Sequence, residues 1–252
     1  SRVLSSVFTY VARSKETGRA AKVNQLNLFE ATSFEKSFSE TRKAIMVERR
    51  AARKASQGDL VRKHPKEDLL NQMVERGRTV IDMPTLADGN SIVMNSTKME
   101  NSFICEPQKS NTGGRVFGGF LIHKAYMLAQ ANAYMFSGER SNLDYIDEIT
   151  FKKPVEIGDM IRLRSRVVYV SHRDHAKDLP RKYCIEITCN VVKPETKKTF
   201  MSNKFIFVFQ CTSTSTTHRI MLPGTMEERN ALYDAAMSME VSEEQLLEDY
   251  KH

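Results

Sequence analysis

The feature that most constrains the fold is one long helical pattern with strand patterns on both sides of it. Residues 117–136 are rich in alanine and methionine, and small residues nearly all round predict a helix that is buried rather than on the surface. The order of one strand, one helix and then four strands predicts an α+β fold, an antiparallel sheet wrapped around a long central helix. The predicted strands are Ser91 to Ile104 before the helix, and Leu143 to Pro154, Met160 to His172, Lys182 to Lys193 and Thr199 to Gln210 after it.

The remaining segments have different patterns. Ser1 to Val11 predicts a strand that must pair with something outside it, because a lone hairpin is marginal in water. Ser33 to Ser56 predicts a basic helix, and a second helix follows from His64 to Arg76. The tail, Pro223 to His252, predicts a polar helix that starts after Gly224 and Thr225. We therefore predict four segments: residues 1–29, 30–84, 85–222 and 223–252.

The composition permits some classes of partner and excludes others. Thirty-eight Lys and Arg against 31 Asp and Glu give a net charge of +7, which permits nucleic acid, anionic lipid or phosphorylated ligands. The four cysteines form no CxxC pair, which argues against a zinc ribbon and a disulfide framework and indicates a reducing compartment. No apolar stretch approaches the roughly 18–20 residues that span a bilayer. The first residue is Ser1 rather than Met, so the sequence leaves open whether a presequence has been removed.

Two motifs carry a resemblance to a known family. Residues 111–121, Asn-Thr-Gly-Gly-Arg-Val-Phe-Gly-Gly-Phe-Leu, resemble the helix-entry motif of hot-dog acyl-CoA thioesterases. Residues 151–159, Phe-Lys-Lys-Pro-Val-Glu-Ile-Gly-Asp, resemble the second-strand motif of that family. The similarity is to the second hot-dog of the mitochondrial enzymes that carry two, and it covers about residues 85–237. It implies a hot-dog domain over 85–222, the last strand or hairpin of a first hot-dog over 1–29, and a basic helical linker over 30–84.

The resemblance implies hydrolysis of fatty acyl-CoA to free acid and CoA in the mitochondrial matrix, with no metal and no cofactor apart from the CoA of the substrate. The oxyanion needs donors, and backbone N–H groups at a helix N-terminus supply them, here at Gly118 and Gly119. Asn111 matches the family's asparagine that positions water or substrate. The family's helix carboxylate falls at Tyr126 or Met127, and neither is a general base at neutral pH, since tyrosine titrates near about pH 10. In double hot-dog enzymes the asparagine of one domain can pair with the acid of the other.

The three candidate site residues also have plainer interpretations. Asn111 lies in a glycine-rich loop, where asparagine is favoured as a turn residue without any catalytic role. Close packing of a helix on a sheet also selects glycine, which accounts equally for Gly118 and Gly119. His123, one turn into the helix, is interpreted as a structural or surface histidine rather than a base.

Other polar groups are open to two interpretations as well. Asp147 and Glu148 are candidates for a replacement carboxylate, against the simpler strand-end salt bridge. His172 and His175 flank a polar hairpin loop, where a metal site is the lesser alternative. The basic run from Arg42 to Lys54 is either a solvated helix face or a surface for an anionic partner, the CoA phosphates or RNA. The cysteines are expected to be buried as apolar packing.

Two functions follow from these observations. The first is an active acyl-CoA thioesterase, whose partners are acyl-CoA and a second hot-dog domain, in the same chain or by self-association, because a single hot-dog exposes a sheet edge and half a site. The alternative is a degenerate thioesterase homologue that serves as a structural subunit of a mitochondrial multiprotein or RNA-containing assembly, such as a ribosome or respiratory complex. Met127 at the acid position and the basic linker motivate that alternative.

Overall fold

The computed structural model describes residues 67–111, 113–147, 149, 151–171, 181–211, 219–239 and 241, positions 245, 246 and 250, and nine isolated positions before residue 48. The chain divides into two compact units, Ser1–Leu60 and Val61–His252. In the first unit the six described positions from Ser33 to Val47 are helical, in agreement with the helix predicted there. The strand predicted from Ser1 to Val11 lies outside the described residues. The predicted segment boundaries stay predictions.

The second unit contains an antiparallel five-stranded sheet with one long helix on one face. The strand order is β2-β4-β5-β6-β3, and β1 and β7 form a separate parallel pair. This is the predicted α+β architecture. The helices are α1 (Glu67–Asp82), α2 (Gly118–Ser137) and α3 (Met226–Ser238), and the strands are β1 (Ser91–Val93), β2 (Met99–Ile104), β3 (Asn142–Ile146), β4 (Met160–Val170), β5 (Arg181–Lys193), β6 (Lys198–Cys211) and β7 (Ile220–Leu222).

Helix α2 lies where the sequence predicts it, but it is buried on one face only. Its sheet-facing residues include Leu121, Ala125 and Ala129, each at most 2% exposed. Met127 is 51% exposed and Met135 is 73% exposed. The helix is thus buried on its sheet-facing side, where burial was predicted, and exposed on the other side, because in this unit the sheet covers a single side. Among the described residues no helix is both long enough and apolar enough to cross a membrane.

Two predicted strands are shorter than expected. The strand predicted from Ser91 to Ile104 is two strands in different sheets, separated by a 3₁₀ turn over Met94–Thr97. That turn is stabilised by the Thr97 hydroxyl, which donates to the Met94 carbonyl and accepts from the Val167 N–H. The strand predicted from Leu143 to Pro154 ends at Ile146. Strands β4, β5 and β6 match their predicted ranges to within two residues.

Helices α1 and α3 pack together beside the short parallel pair. The helix predicted from His64 to Arg76 is observed as α1, which extends to Asp82. Arg229 of α3 is fully buried, and its guanidinium donates to Asn71 Oδ1 of α1 over 2.6 Å. The predicted start of the tail helix is confirmed, since the Thr225 hydroxyl accepts from the Glu228 N–H and caps α3. Strand β7, just before it, was not predicted.

The four cysteines are buried, as predicted, and none of them forms a disulfide. Burial, with a smaller contribution from Asp159, raises the pKa of the Cys105 thiol to about 11. Burial, and then the neighbouring Cys105, raises the pKa of Cys189 to about 12. Both thiols are therefore protonated at neutral pH, as expected of packing residues rather than nucleophiles.

A buried ion-pair cluster lies on the sheet face opposite α2. Tyr183 packs on Phe136 of α2, and since side chains alternate along β5, Glu186 points to the other face. Glu186 is 2% exposed; Arg166 Nη2 lies 2.7 Å from its Oε1, and Lys204 pairs with its Oε2. Burial alone would raise the pKa of Glu186, but Lys204 and Arg166 together hold that pKa below its ordinary value.

We expect Glu186→Gln to lower the free energy of unfolding at pH 7 by about 3 kcal/mol, because it removes the buried carboxylate from Arg166 and Lys204. The mostly buried Arg166 then keeps only the 3.4 Å contact to the exposed Glu227, and the partly exposed Lys204 loses this partner. Glu100→Gln is the matched control. It breaks an ion pair of 2.7 Å with Arg164 whose side chains are half exposed, and it should cost less than about 1 kcal/mol. Urea unfolding measures both variants.

The contribution of Glu186 to the free energy of unfolding should also depend on pH. A carboxyl with a lowered folded pKa contributes stability above its unfolded pKa, about 4.3, and loses it as pH falls through the folded value. The stability difference between wild type and Glu186→Gln should therefore be full at neutral pH and shrink below about pH 4. A difference that is constant from pH 7 to pH 3, or equal effects of the two substitutions at pH 7, would contradict this interpretation.

Candidate active site

The loop before α2 folds back on itself and reaches the start of the helix. Ser110 and Val116 form an antiparallel bridge, and the Asn111 N–H donates to the Arg115 carbonyl over 2.6 Å. The Phe117 N–H donates to the Lys109 carbonyl over 2.8 Å. Asn111 follows Lys109, which makes this contact with the helix entrance, by two residues. Two residues span about 7 Å in an extended chain.

The amide oxygen and the amide nitrogen of the Asn111 side chain have different roles. Its Oδ1 accepts from the Gly113 N–H at 2.8 Å and from the Arg115 N–H at 3.1 Å. These two donors fix which end of the amide is the oxygen. The Nδ2 group has no partner among the described residues, and the residue is exposed. The turn interpretation of Asn111 is thus correct for Oδ1, while Nδ2 is left as a hydrogen-bond donor.

The N-terminus of α2 carries donors that no side chain caps. Phe117 is the N-cap residue and makes no side-chain capping bond. The N–H groups of Gly118 and Gly119, the first two helical residues, precede the first intrahelical hydrogen bonds. The helix dipole adds partial positive charge at this end. A developing oxyanion is the kind of group that such a terminus stabilises.

The two glycines lie against aromatic rings rather than against the sheet backbone. A Cβ on Gly118 would lie 2.7 Å from Cζ of Phe151, and a Cβ on Gly119 would lie 2.4 Å from Cε1 of Phe117. Both rings are about half exposed, at 48% and 58%. The helix–sheet packing interpretation is therefore replaced by a more local one: the glycines make room for two rings that border the helix N-terminus.

The second sequence motif supports the first. Val116 N–H donates to the Val155 carbonyl over 3.1 Å, and Arg115 forms a bridge with Glu156. Gly158 has a φ of +88°, which glycine adopts without strain, and Asp159 Oδ2 accepts from the Glu156 N–H. The two motifs thus meet in space: the Phe-x-x-Pro-Val-x-x-Gly-Asp segment closes a turn against the Asn111 loop and places Phe151 over Gly118.

Among the described residues, none of the positions considered for the catalytic base places a carboxylate beside the helix entrance. Tyr126 packs on Phe207 and Phe209 of β6, while Met127 points away from the sheet. His123 is exposed on α2, which agrees with its interpretation as a surface histidine. Because tyrosine and methionine are not bases at neutral pH, the base of a hydrolytic reaction is not among these side chains.

Asp147 lies on the far side of the sheet. Burial raises the pKa of Cys184 most, and the negative charges of Glu186 and then Asp147 raise it further. The Asp147 N–H donates to the Ile206 carbonyl of β6, so Asp147 lies opposite Ile206. Phe207 faces α2, so its neighbour Ile206 and the opposite Asp147 face away from α2, and Asp147 does not join Asn111 as a replacement carboxylate. The side chain of Glu148, and both His172 and His175, lie outside the described residues. Within the described part, no three His, Cys, Asp or Glu side chains cluster as a metal site.

An aromatic and lysine cluster beside the entrance was not predicted. Phe103 and Phe120 pack edge to face at 5.7 Å, and Lys124 Nζ lies within 5.8 Å of both ring centroids. Lys109 Nζ lies 5.6 Å from the Phe120 centroid. The i, i+4 spacing of Phe120 and Lys124 was the available sequence signal, but Phe103 comes from β2 and only the fold brings it there.

The chain is similar to acyl-CoA thioesterases of plants and mammals. It is 37% identical over 240 residues to acyl-coenzyme A thioesterase 2, chloroplastic, of Humulus lupulus, and the match covers 92% of this chain and 53% of that protein. It is 36% identical over 225 residues to the mitochondrial acyl-coenzyme A thioesterase 4 of the same plant, covering 88% and 42%. It is 32% identical over 213 residues to acyl-coenzyme A thioesterase 9, mitochondrial, of Homo sapiens, covering 80% and 46%. The chain thus spans about half the length of these relatives.

Solved structures share the fold. An acyl-CoA hydrolase from Staphylococcus aureus, in complex with butyryl coenzyme A, coenzyme A and coenzyme A disulfide, superposes with a TM-score of 0.52 at 16% identity, over 64% of this chain and 95% of that one. An apo-hexameric acyl-CoA thioesterase superposes with a TM-score of 0.53 at 15% identity, over 65% and 99%. No protein-family model matches the chain. The chain is therefore a homologue of the acyl-CoA thioesterases and has their hot-dog fold.

Proposed function

We propose that the protein hydrolyses the thioester of fatty acyl-CoA to give a free acid and CoA. The observation that carries this proposal is the Nδ2 group of Asn111, which has no partner among the described residues, in the loop that leads into an α2 N-terminus with two glycines and no side-chain cap. The names of the sequence relatives support the same substrate class. CoA enters as part of the substrate, and the reaction needs no metal or redox group.

The reaction divides into two steps at this site. A water oxygen attacks the carbonyl carbon and loses a proton to a base, and the carbonyl oxygen becomes an oxyanion that accepts hydrogen bonds from the α2 N-terminus. The oxyanion then re-forms the C=O bond, the carbon–sulfur bond breaks, and the CoA thiolate leaves and takes a proton. Asn111 Nδ2 donates to the attacking water or to the carbonyl oxygen and so fixes their relative position.

The base comes, in this proposal, from a second hot-dog domain. Tyr126 and Met127 replace the family's carboxylate here, so a carboxylate must reach the Asn111 side from elsewhere. The exposed face of α2, with Met127, Tyr134 and Met135, is an apolar surface of the kind that a second domain covers. A hexameric thioesterase among the structural neighbours shows that this fold self-associates in that protein. Whether the second domain lies in the same chain or in another copy is decided by sizing the full-length protein.

We further propose that the protein works in an organelle, and within it in the mitochondrial matrix. Relatives named as mitochondrial and as chloroplastic support the organellar part, and four buried cysteines without a disulfide fit a reducing compartment. The alternative of a structural subunit in a mitochondrial assembly gains no support from these relatives, which are named as thioesterases.

A panel of saturated acyl-CoAs, from acetyl-CoA to stearoyl-CoA, tests the proposed function on the full-length protein. CoA release is followed with a thiol reagent. Turnover of at least one chain length at a kcat of about 1 s⁻¹ or more, the usual lower range for enzymes, is expected. No turnover above the buffer rate for any chain length would overturn the proposal.

A further inference from the structure

A small cavity lies at the C-terminal end of α2, at the opposite end of the helix from the glycine pair. Its volume is about 60 Å³, and charged and polar groups of Glu139, Arg181, Tyr183 and Arg219 line it together with the ring of Phe136. Phe136 is eighteen residues past the first residue of α2, which corresponds to about 27 Å along the helix axis. The cavity is therefore separate from the candidate active site.

The size of the cavity restricts its occupant to one small group. Pockets that hold cofactors or drug-sized ligands have volumes of roughly 300–1,000 Å³, several times the 60 Å³ found here. At roughly 15 Å³ for each water molecule the cavity has room for about four waters, which is comparable to the five heavy atoms of a tetrahedral oxyanion. An acyl chain or a nucleotide does not fit inside it.

Arg219 has donors that its contacts with the helix do not use. Its Nη1 donates to the Phe136 carbonyl, and its Cζ lies 5.5 Å from the centroid of the Phe136 ring. This bond caps one of the last carbonyls of α2 and offsets the partial negative charge at that end of the helix. A guanidinium has five N–H donors, and Arg219 makes no other hydrogen bond and no ion pair among the described residues. Its remaining donors are therefore available to an occupant of the cavity.

Tyr183 and Arg181 supply further donors from the first residues of β5. Tyr183 is 4% exposed, and its hydroxyl is hydrogen-bonded to the Arg181 guanidinium. Since a guanidinium only donates, the tyrosine oxygen is the acceptor and its own hydrogen is left to donate. Burial raises the pKa of Tyr183 more than the neighbouring Arg181 lowers it, so the hydroxyl keeps this proton at neutral pH. Guanidinium forks match the geometry of an oxyanion.

Glu139 narrows the choice of anion. Two arginines and one carboxylate leave one net positive charge on the residues that line the cavity. Glu139 Oε1 accepts from the Cys211 thiol, and its Oε2 has no partner among the described residues. Because an ionised carboxylate only accepts, the anion that fits must carry a proton of its own. Inorganic phosphate keeps one near neutral pH and sulfate has none, while a phosphate ester, whose second pKa is about 6, has mostly lost it.

We propose that this cavity binds one inorganic phosphate ion. The guanidiniums of Arg181 and Arg219 and the Tyr183 hydroxyl donate to its oxygens, and the proton of the phosphate is donated to Glu139. The bound ion joins the end of α2 to the start of β5 and so stabilises the folded chain. This binding does not depend on acyl-CoA hydrolysis.

Calorimetric titration of the full-length protein with phosphate, in a phosphate-free buffer at constant ionic strength, measures the affinity and the stoichiometry. We expect one site per chain. Sulfate should bind at least about tenfold more weakly, because one charge-assisted hydrogen bond contributes about a factor of ten or more to an equilibrium constant. Adenosine 3′-phosphate, a phosphate ester, should bind as weakly as sulfate and distinguishes the free ion from a phosphate carried by a larger molecule.

Substitutions in the lining assign the binding to this cavity. Arg181→Gln and Arg219→Gln should each weaken phosphate binding at least about tenfold, and Glu139→Gln should remove most of the preference for phosphate over sulfate. Arg140→Gln is the matched control, since Arg140 is exposed and does not line the cavity, and it should keep the wild-type affinity. Arg219→Lys keeps the charge beside the Phe136 carbonyl but loses the fork; it should also weaken binding, and it serves if the glutamine variant fails to fold.

Three results would overturn the inference. The first is the absence of saturable phosphate binding to the wild type. The second is binding that Arg181→Gln and both substitutions of Arg219 leave unchanged, or that Arg140→Gln weakens equally. The third is sulfate bound as tightly as phosphate with no effect of Glu139→Gln, which would contradict the assignment of phosphate. None of these measurements requires turnover, so their outcome is independent of the test of the proposed function.

Discussion

Replacing Asn111 by aspartate is expected to lower the kcat for acyl-CoA hydrolysis by about 10²- to 10³-fold, the usual cost of removing one donor from an oxyanion site. Aspartate keeps an oxygen that can accept from the N–H groups of Gly113 and Arg115, so the loop retains its two capping bonds. It removes only the Nδ2 donor and adds a negative charge where an oxyanion develops. Stopped-flow or steady-state release of CoA gives kcat and KM separately.

The control for this prediction is the stability of the loop. The midpoint of thermal unfolding should be within about 2 °C of wild type, since the surface loop loses no buried contact. Asn111→Ala removes the capping oxygen as well and should lose both activity and some order in the loop. Wild-type kcat in the aspartate variant would show that Nδ2 is not used, and Asn111 would then be a turn residue only.

Replacing Gly77 by alanine is expected to lower the free energy of unfolding by about 3 kcal/mol or more, the upper range for overpacking. In an ordinary helix interior the same change stabilises by about 0.5–1 kcal/mol. Here a Cβ would lie 2.2 Å from the Pro223 carbonyl oxygen and 2.9 Å from its carbon. Both are backbone atoms just before α3, and they cannot move aside without displacing that helix.

Gly89→Ala is the matched control for Gly77→Ala. A Cβ on Gly89 would meet nothing within 4 Å, and the free energy of unfolding should change by less than about 0.5 kcal/mol. Urea titration of the full-length protein measures both. A Gly77→Ala variant as stable as wild type would mean that α1 does not cross Pro223 as closely as described.

The elements that could be predicted from the sequence are those that depend on hydrophobic periodicity or on a local motif. The alternating patterns of β4, β5 and β6 follow directly from side-chain direction in a strand, and the helix entrance follows from the glycine pair. The division of Ser91 to Ile104 could not be predicted, because it depends on a Thr97 bond to Val167, seventy residues away. The same holds for the separate parallel pair of β1 and β7, because its two strands, Ser91–Val93 and Ile220–Leu222, lie at opposite ends of the domain sequence.

The candidate site was predictable in part for the same reason. Asn111, Gly118 and Gly119 stand in one motif, and a resemblance finds them. Their surroundings come from distant segments: Phe151 covers Gly118, and Phe207 and Phe209 hold Tyr126. The sequence alone shows that Tyr126 or Met127 stands at the position of the family's carboxylate. The packing of the Tyr126 ring becomes visible only in the fold.

The structure of the full-length protein with a non-hydrolysable acyl-CoA analogue shows directly whether the α2 N-terminus is the oxyanion site. The carbonyl oxygen of the analogue is expected within hydrogen-bond distance, about 2.7–3.2 Å, of an N–H group of Gly118 or Gly119, with Asn111 Nδ2 facing the same carbonyl. A carbonyl bound elsewhere, with the α2 N-terminus facing only solvent, would show that these glycines do not form the oxyanion site.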